Sequence, residues 1–368
     1  MVVPLAARGV AAVFGAALVA GVWVSVIGTV IIPRPAGNVL TRYVERAVLT
    51  SYHLVVWPDW LGRWRENILA TRAAAILVIQ LAAWLLAMLA GFALLLWPFA
   101  AGGVAFAFRD SASSLFPLGY QQPAGPWPVV MSFVASASTL VIIALHIAYL
   151  PALYGAFSRR ETEVALLNER AGVPSWGPEL LARTHYALGS GETTVNTLPG
   201  LYIRWERWAA DVAESHSTYL PLARFCSPRP NSSWVLALLA VLDSAALYLS
   251  LSPDSAPTVE ARLCLRGGFA CLHRVARALR LDVPGPPGPP AGISLTYEEF
   301  LEAVHWMREA GIDFEREPEQ AWPHFVGWRV NYERAAYAIA YSVDAPPGLW
   351  SGPRRYHAPP IRPERPPG

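Results

Sequence analysis

Lysine is missing altogether, and all 29 basic side chains are arginine. That absence excludes chemistry needing a lysine amine, both a P-loop of the GxxxxGK[ST] type and a Schiff-base lysine. Charge is scarce too, at 15% of 368 residues, against roughly a quarter in soluble domains. The formal net charge of +2 leaves no electrostatic footprint for nucleic acid, so no nucleic-acid partner is expected. Cysteine is sparse: Cys226, Cys264 and Cys271 make no disulfide framework. Cys264 and Cys271 can share a helix face, but no His or Cys completes a metal set, and they read as small buried residues. No segment shows sustained strand alternation, so the soluble part is expected to be all-α.

What remains is apolar: 54% of the chain is hydrophobic. Residues 10–32, 73–98 and 129–150 are each long enough to cross a bilayer, which takes about 20 apolar residues. The first run is too long for a signal-peptide core and no small-residue cleavage site follows it, so it reads as a retained helix. Arginine sets the orientation. Arg34, Arg42, Arg46, Arg63, Arg65 and Arg72 lie between spans one and two, and Arg159, Arg160 and Arg170 follow span three; Arg109 is alone between spans two and three. The positive-inside rule then puts the N-terminus outside and the C-terminal half in the cytoplasm of a multi-pass plasma-membrane protein. In the inner loop, Leu40, Val44, Ala47 and Val48 share a helical face, for a helix on the inner membrane surface or packed on the soluble domain. A fourth apolar run, 232–252, contains Asp243. A mid-span Asp costs roughly 2.5–3.5 kcal/mol on insertion, and a fourth crossing would put five arginines outside, so this run reads as a buried helix of the cytoplasmic domain.

The second half reads as helices. Ser158 can cap a helix that continues the third span and stops at Gly172. Residues 283–292, "VPGPPGPPAG", form a linker. Thr296 and Glu299 make a capping box, Phe300, Val304 and Met307 line one face, and Gly311 ends that helix. Another helix is expected around residues 328–341, and from 345 the Pro-rich tail should be disordered.

The stretch "SSLFPLGYQQP", 113–123, lies between spans two and three, and residues 103–115 are long enough for a short helix before the Leu-Gly-Tyr. Two spans with a re-entrant segment between them is the layout of a potassium-channel pore. There, TVGYG loops around one axis replace the ion's water shell with backbone carbonyls. The stretches "WLLAMLAGFALLLWP", "FRDSASSLFPLGYQQP" and "IAYLPALYGAFSRRETEVALLNERAG" carry a closer likeness, over residues 73–172. On them the chain resembles actinobacterial membrane proteins grouped with two-transmembrane potassium channels. The resemblance implies a pore-loop fold and no known activity for the cytoplasmic half. It places the filter carbonyls at Pro117, Leu118, Gly119, Tyr120 and Gln121, with Ser113 and Ser114 at the inner mouth. Against TVGYG, Pro117 replaces the threonine and loses its hydroxyl and N–H. Gln121 replaces the second glycine, where a positive φ strains any side chain. An ordinary turn between two helices is the other reading of this stretch.

Elsewhere, Glu206, Asp211, Glu214 and His216 gather on one helix. They read as a solvated face, or as an acid–base site if a third group converges on them. Gly189 to Glu192 is a glycine loop without lysine, and His146 in span three either faces a pore or packs on a neighbour. The expected fold is an all-α membrane protein with three transmembrane helices, a re-entrant pore loop between the second and third, and an α-helical cytoplasmic domain. Its parts are 1–72 (first span and amphipathic connector), 73–158 (pore module), 159–282 (helical domain), 283–292 (linker), 293–344 (C-terminal helices) and 345–368 (tail). The expected function is a homotetrameric channel in the bilayer, passing potassium or another monovalent cation, with no cofactor and no catalysis. The competing expectation is a non-conducting scaffold or sensor that keeps the pore fold and works through its cytoplasmic helices.

Overall fold

The computed structural model describes residues 5–32, 39–56, 64–100, 102–116, 125–186, 197–283, 292–356 and 358–364. Among the described residues there are α-helices, two short 3₁₀ turns and isolated bridges, with no extended strand. They divide into two compact units: Met1–Val55 with Thr71–Tyr154, and Val56–Ala70 with Gly155–Gly368. Four helices are long and apolar enough to cross a membrane: Ala6–Val30, Trp64–Phe99, Pro126–Ala171 and Trp234–Leu251.

The first unit contains α1 (Leu5–Val30), α2 (Val39–Val56), most of α3 (Trp64–Leu96), α4 (Val104–Leu115) and the start of α5 (Pro126–Ala171). Glycine brings α1 and α3 into backbone contact. A Cβ on Gly15 would stand 2.6 Å from the Gly91 carbonyl oxygen, and one on Gly91 would stand 2.7 Å from Val19 Cγ2. Small residues at the crossing are how helices associate where lipid removes the hydrophobic drive between them. Hydroxyls extend the tie: Trp84 Nε1 donates to Ser25 Oγ (2.9 Å), and Thr41 Oγ1 meets Ser25 Oγ at 3.3 Å and Thr29 Oγ1 at 3.1 Å. The apolar face of α2 is used on α3, where Val44 and Val48 cluster with Ile76 while Ala47 stays exposed. That partner is a long apolar helix of the same unit. Outward, Phe14, Leu86, Phe133 and Leu140 are each more than 60% exposed, as suits a hydrocarbon solvent.

The second unit contains the far half of α5, then α6 (Gly177–Tyr186), α7 (Leu198–Thr218), α8 (Trp234–Leu251), α9 (Thr258–Ala278), α10 (Tyr297–Glu309), α11 (Pro318–Arg329) and α12 (Glu333–Ser342). Helix α5 runs unbroken past Ser158 to Ala171, so no helix starts at that serine; Gly172, at φ 73°, ends it as expected. Helix α8 differs in kind from the other three long apolar helices. Every one of its residues is buried, under α6, α7, α9, α11 and α12. In the apolar windows of the other three, a third or less is buried within the protein.

One polar cluster holds α8. Asp243 Oδ1 accepts from Arg329 Nη1 (2.5 Å) and the Tyr332 hydroxyl (2.7 Å). Arg329 Nε donates to Glu333 Oε2 (2.7 Å), and Nη2 donates to the Tyr337 hydroxyl (2.9 Å) and the Trp350 carbonyl (2.7 Å). Burial alone would lower the Arg329 pKa; Asp243 and its neighbours outweigh that and hold it well above the ordinary guanidinium value. The capping box of Thr296 and Glu299 is formed, and Phe300, Val304 and Met307 are buried.

Two expectations change here. The helix expected around 328–341 is two helices, broken after Arg329 so that Tyr332 can turn onto Asp243. The tail expected to be disordered from 345 is packed through residue 364, apart from residue 357, which is outside the description. Trp350 is 7% exposed and meets Trp176 edge-on at 5.7 Å. Arg354 donates to the carbonyls of Ala345, Pro346 and Ser351, replacing the ladder that prolines cannot make. Glu364 pairs with Val173.

Two predictions follow from this packing. Gly15→Leu forces α1 from α3 and lowers the thermal midpoint of the full chain in detergent, whereas Gly21→Leu, with nothing within 4 Å of its Cβ, leaves it unchanged; equal midpoints would refute the contact. Asp243→Ala removes one of the two buried carboxylates on Arg329 and the acceptor of the Tyr332 hydroxyl, and costs about 3 kcal/mol in denaturant unfolding, where an exposed pair such as Arg229–Glu169 costs under about 1 kcal/mol.

Candidate functional site

Between α3 and α5 the chain turns through Trp97–Phe99 and enters α4, whose N-cap is Gly103 at φ 77°. This conformation favours glycine. The first turns of α4 expose Val104, Phe106 and Phe108, while Ser111, Ser113, Ser114 and Leu115 at its other end are buried. Ser111 Oγ donates to the Leu89 carbonyl (2.9 Å), about two turns inside α3. Ser114 Oγ donates to the Asp110 carbonyl (2.8 Å) and meets Ser132 Oγ at 2.5 Å. Ser136 Oγ donates to the Ser114 carbonyl at 2.5 Å. The last carbonyls of a helix lack partners within it, and here a hydroxyl of α5 answers one. Leu115 packs with Trp84, Phe92, Ala135 and Ile142. The buried end of α4 therefore lies about two turns in from the end of α3 and from the start of α5.

Of the expected inner-mouth residues, Ser114 commits its hydroxyl to Asp110 and Ser132, and Ser113 is buried beside it. The expected filter residues Pro117, Leu118, Gly119, Tyr120 and Gln121 lie outside the described residues, as does the Gly189 to Glu192 loop. His146 packs edge-on against Trp84 of α3 at 6.0 Å and beside Tyr149 at 6.4 Å.

The acidic cluster on α7 does not converge. Asp211 pairs with Arg159 (3.2 Å) and Glu214 with Arg274 (2.6 Å), both at the surface. His216 points the other way and is fully buried, with Nε2 at 3.1 Å from Arg160 Nη1 and Nδ1 at 3.0 Å from Ser215 Oγ. Among the described residues no group of three His, Cys, Asp or Glu is placed to hold a metal. Cys264 and Cys271 are both buried on α9, and burial raises the thiol of each, that of Cys271 to about 12. The residue that sequence reasoning passed over is Arg160. It is fully buried, donating to the carbonyls of Leu222 and Phe225 at 2.8 Å each. Its charge marked it for topology only, and nothing local tells a buried arginine from a surface one.

No protein-family model, curated protein or solved structure matches the chain. The functional reading therefore rests on geometry and chemistry.

Burial and then the nearby Arg160 charge hold the His216 pKa well below 6.5. Its neutral form is the folded one, so its contribution is complete above about pH 6.5 and is lost as pH falls below that value. Lowering pH from about 7 to about 5 should reduce the denaturant midpoint. His216→Gln should flatten that dependence; an unchanged slope in the variant would remove the histidine from the account.

Proposed function

We propose that residues 73–158 form a pore module of the potassium-channel type, assembled as a homotetramer and passing a monovalent cation. The observation that carries this reading is the serine-bonded burial of the α4 C-terminus about two turns inside the facing ends of two long apolar helices, the end of α3 and the start of α5. Non-helical backbone is tolerated at membrane depth only when buried in protein or lining a wet pore. A chain leaving α4 at Phe116 must return to the start of α5 at Pro126, about two turns above its contacts with Ser132 and Ser136. That rise is roughly 9–15 Å at 1.5 Å per residue, well within reach of the intervening residues when extended. Pro117, Leu118, Gly119, Tyr120 and Gln121 fall on this return. Their carbonyls, with those of three symmetry-related copies, would replace the ion's water shell. No cofactor enters the reading.

Arginine distribution supports an outward-facing return and a cytoplasmic second unit in the plasma membrane. Helix α8 belongs with the soluble helices on this view, since a covered helix that answers Asp243 with Arg329 has no face for lipid. A second reading, a non-conducting scaffold or sensor with the same fold, is favoured by Pro117 and Gln121, which depart from the TVGYG pattern.

Purified full-length protein in liposomes should pass potassium in preference to sodium, and Gly119→Ala should abolish the flux. Light scattering in detergent should give four chains per particle. Tetramers without flux would select the scaffold; a monomer or dimer would end the pore reading.

A further inference from the structure

The second unit contains a cavity of about 120 Å³, several times the space that one water needs. Its walls come from the first two turns of α3, the connector 223–234 and the C-terminal segment with Tyr356. Arg65, Arg224 and Arg229 line it, against the two carboxylates of Glu66 and Asp344. Both acids already have protein partners: Asp344 lies 3.7 Å from Arg355, and Glu66 accepts the Asn231 backbone N–H. Arg65 sits 4.3 Å over the Tyr356 ring, which orients a planar donor fork at the cavity wall. Arg224 is only 8% exposed and donates to the Ser342 carbonyl at 3.2 Å. The Ser227 hydroxyl is buried at this wall with no hydrogen-bond partner among the described protein residues. A buried hydroxyl without a partner is uncommon and costly, and a ligand oxygen would satisfy it.

We propose that this cavity binds a small phosphate-bearing anion, held by the guanidinium groups of Arg65 and Arg224 and by the Ser227 hydroxyl. Guanidinium forks match phosphate oxygens in charge and geometry; of the three lining arginines, Arg229 pairs with Glu169 at 3.2 Å, which leaves the anion to Arg65 and Arg224. The walls also give the site a consequence. One wall is α3 itself. Another, the connector, hangs from Arg160 of α5 through the Leu222 and Phe225 carbonyls. An anion in the cavity therefore ties the inner end of α3 to a segment fixed on α5. That the anion tunes conduction rests on the pore reading; that it binds does not.

The test is calorimetric titration of the full chain in neutral detergent with inorganic phosphate at constant ionic strength. Saturable binding of one phosphate per chain is expected, weakened about tenfold by Arg65→Gln and by Ser227→Ala. Glu66→Gln should tighten it, a gain that a folding defect cannot imitate. In parallel, the chain in bilayer discs of neutral lipid, with and without phosphatidic acid, tells the source. Stabilisation by phosphatidic acid that Arg65→Gln removes, without binding of free phosphate, assigns the site to a lipid headgroup. No binding of either, or binding that Arg65→Gln and Glu66→Gln leave unchanged, overturns the proposal. Phosphate that binds without altering an existing potassium flux refutes the coupling alone; a protein that binds phosphate but passes no ion refutes the pore reading and leaves the site standing.

Discussion

The second unit is assembled around the pair formed by Asp243 and Arg329. A carboxylate in the middle of a fully buried apolar helix is costly unless a charge and further hydrogen bonds answer it. Arg329 answers with each of its nitrogens: to Asp243, to Glu333, and to Tyr337 and Trp350 together. Those contacts fix α11 and α12 against α8 and bring the C-terminal segment over them. They also explain the short break between α11 and α12, which frees Tyr332 to reach the same carboxylate oxygen. Leucine in place of Asp243 could fill the space, but it would leave Glu333 to answer Arg329 without it and take away the acceptor of the Tyr332 hydroxyl.

The sequence made some of this legible. Long uncharged runs, the capping box at Thr296 and the stop at Gly172 are local signals, set by residues within a turn or two of one another. The α8 run read correctly as a helix, and Asp243 was the clue that it differs from the others. What stayed hidden is long-range. Composition made 345–368 look disordered because proline and arginine dominate it. The ordering comes from Trp350, placed on Trp176 and Arg329, and from an arginine that answers the free carbonyls. The partner of α2 was hidden for the same reason, since an amphipathic face says that something covers it and not what.

The serines around α4 show how far local chemistry can go. Ser111, Ser114, Ser132 and Ser136 look like unremarkable polar residues in apolar surroundings, yet together they answer the end of a short helix about two turns inside two long ones. None of these bonds involves residues 117–121. On the proposed pore reading, the anchoring of α4 and the chemistry of residues 117–121 are therefore separable: a sequence can depart from TVGYG while α4 keeps its serine anchors, and one fold could serve a conducting or a silent protein.

The boundary between the two units also has a physical meaning. It falls inside continuous helices: α3 has its first turns in one unit and the rest in the other, and α5 is divided after Tyr154. A helix transmits displacement along its axis with little loss, because each turn is hydrogen-bonded to the next. On α5 the second unit takes hold at Arg160, whose side chain grips two carbonyls of the connector while its own carbonyl accepts from Trp208 Nε1. On α3 it takes hold at Arg65, stacked on Tyr356 of the C-terminal segment. The ordered tail is thus part of the grip. Its Tyr356 fastens it to the first turn of the helix that runs on into the first unit.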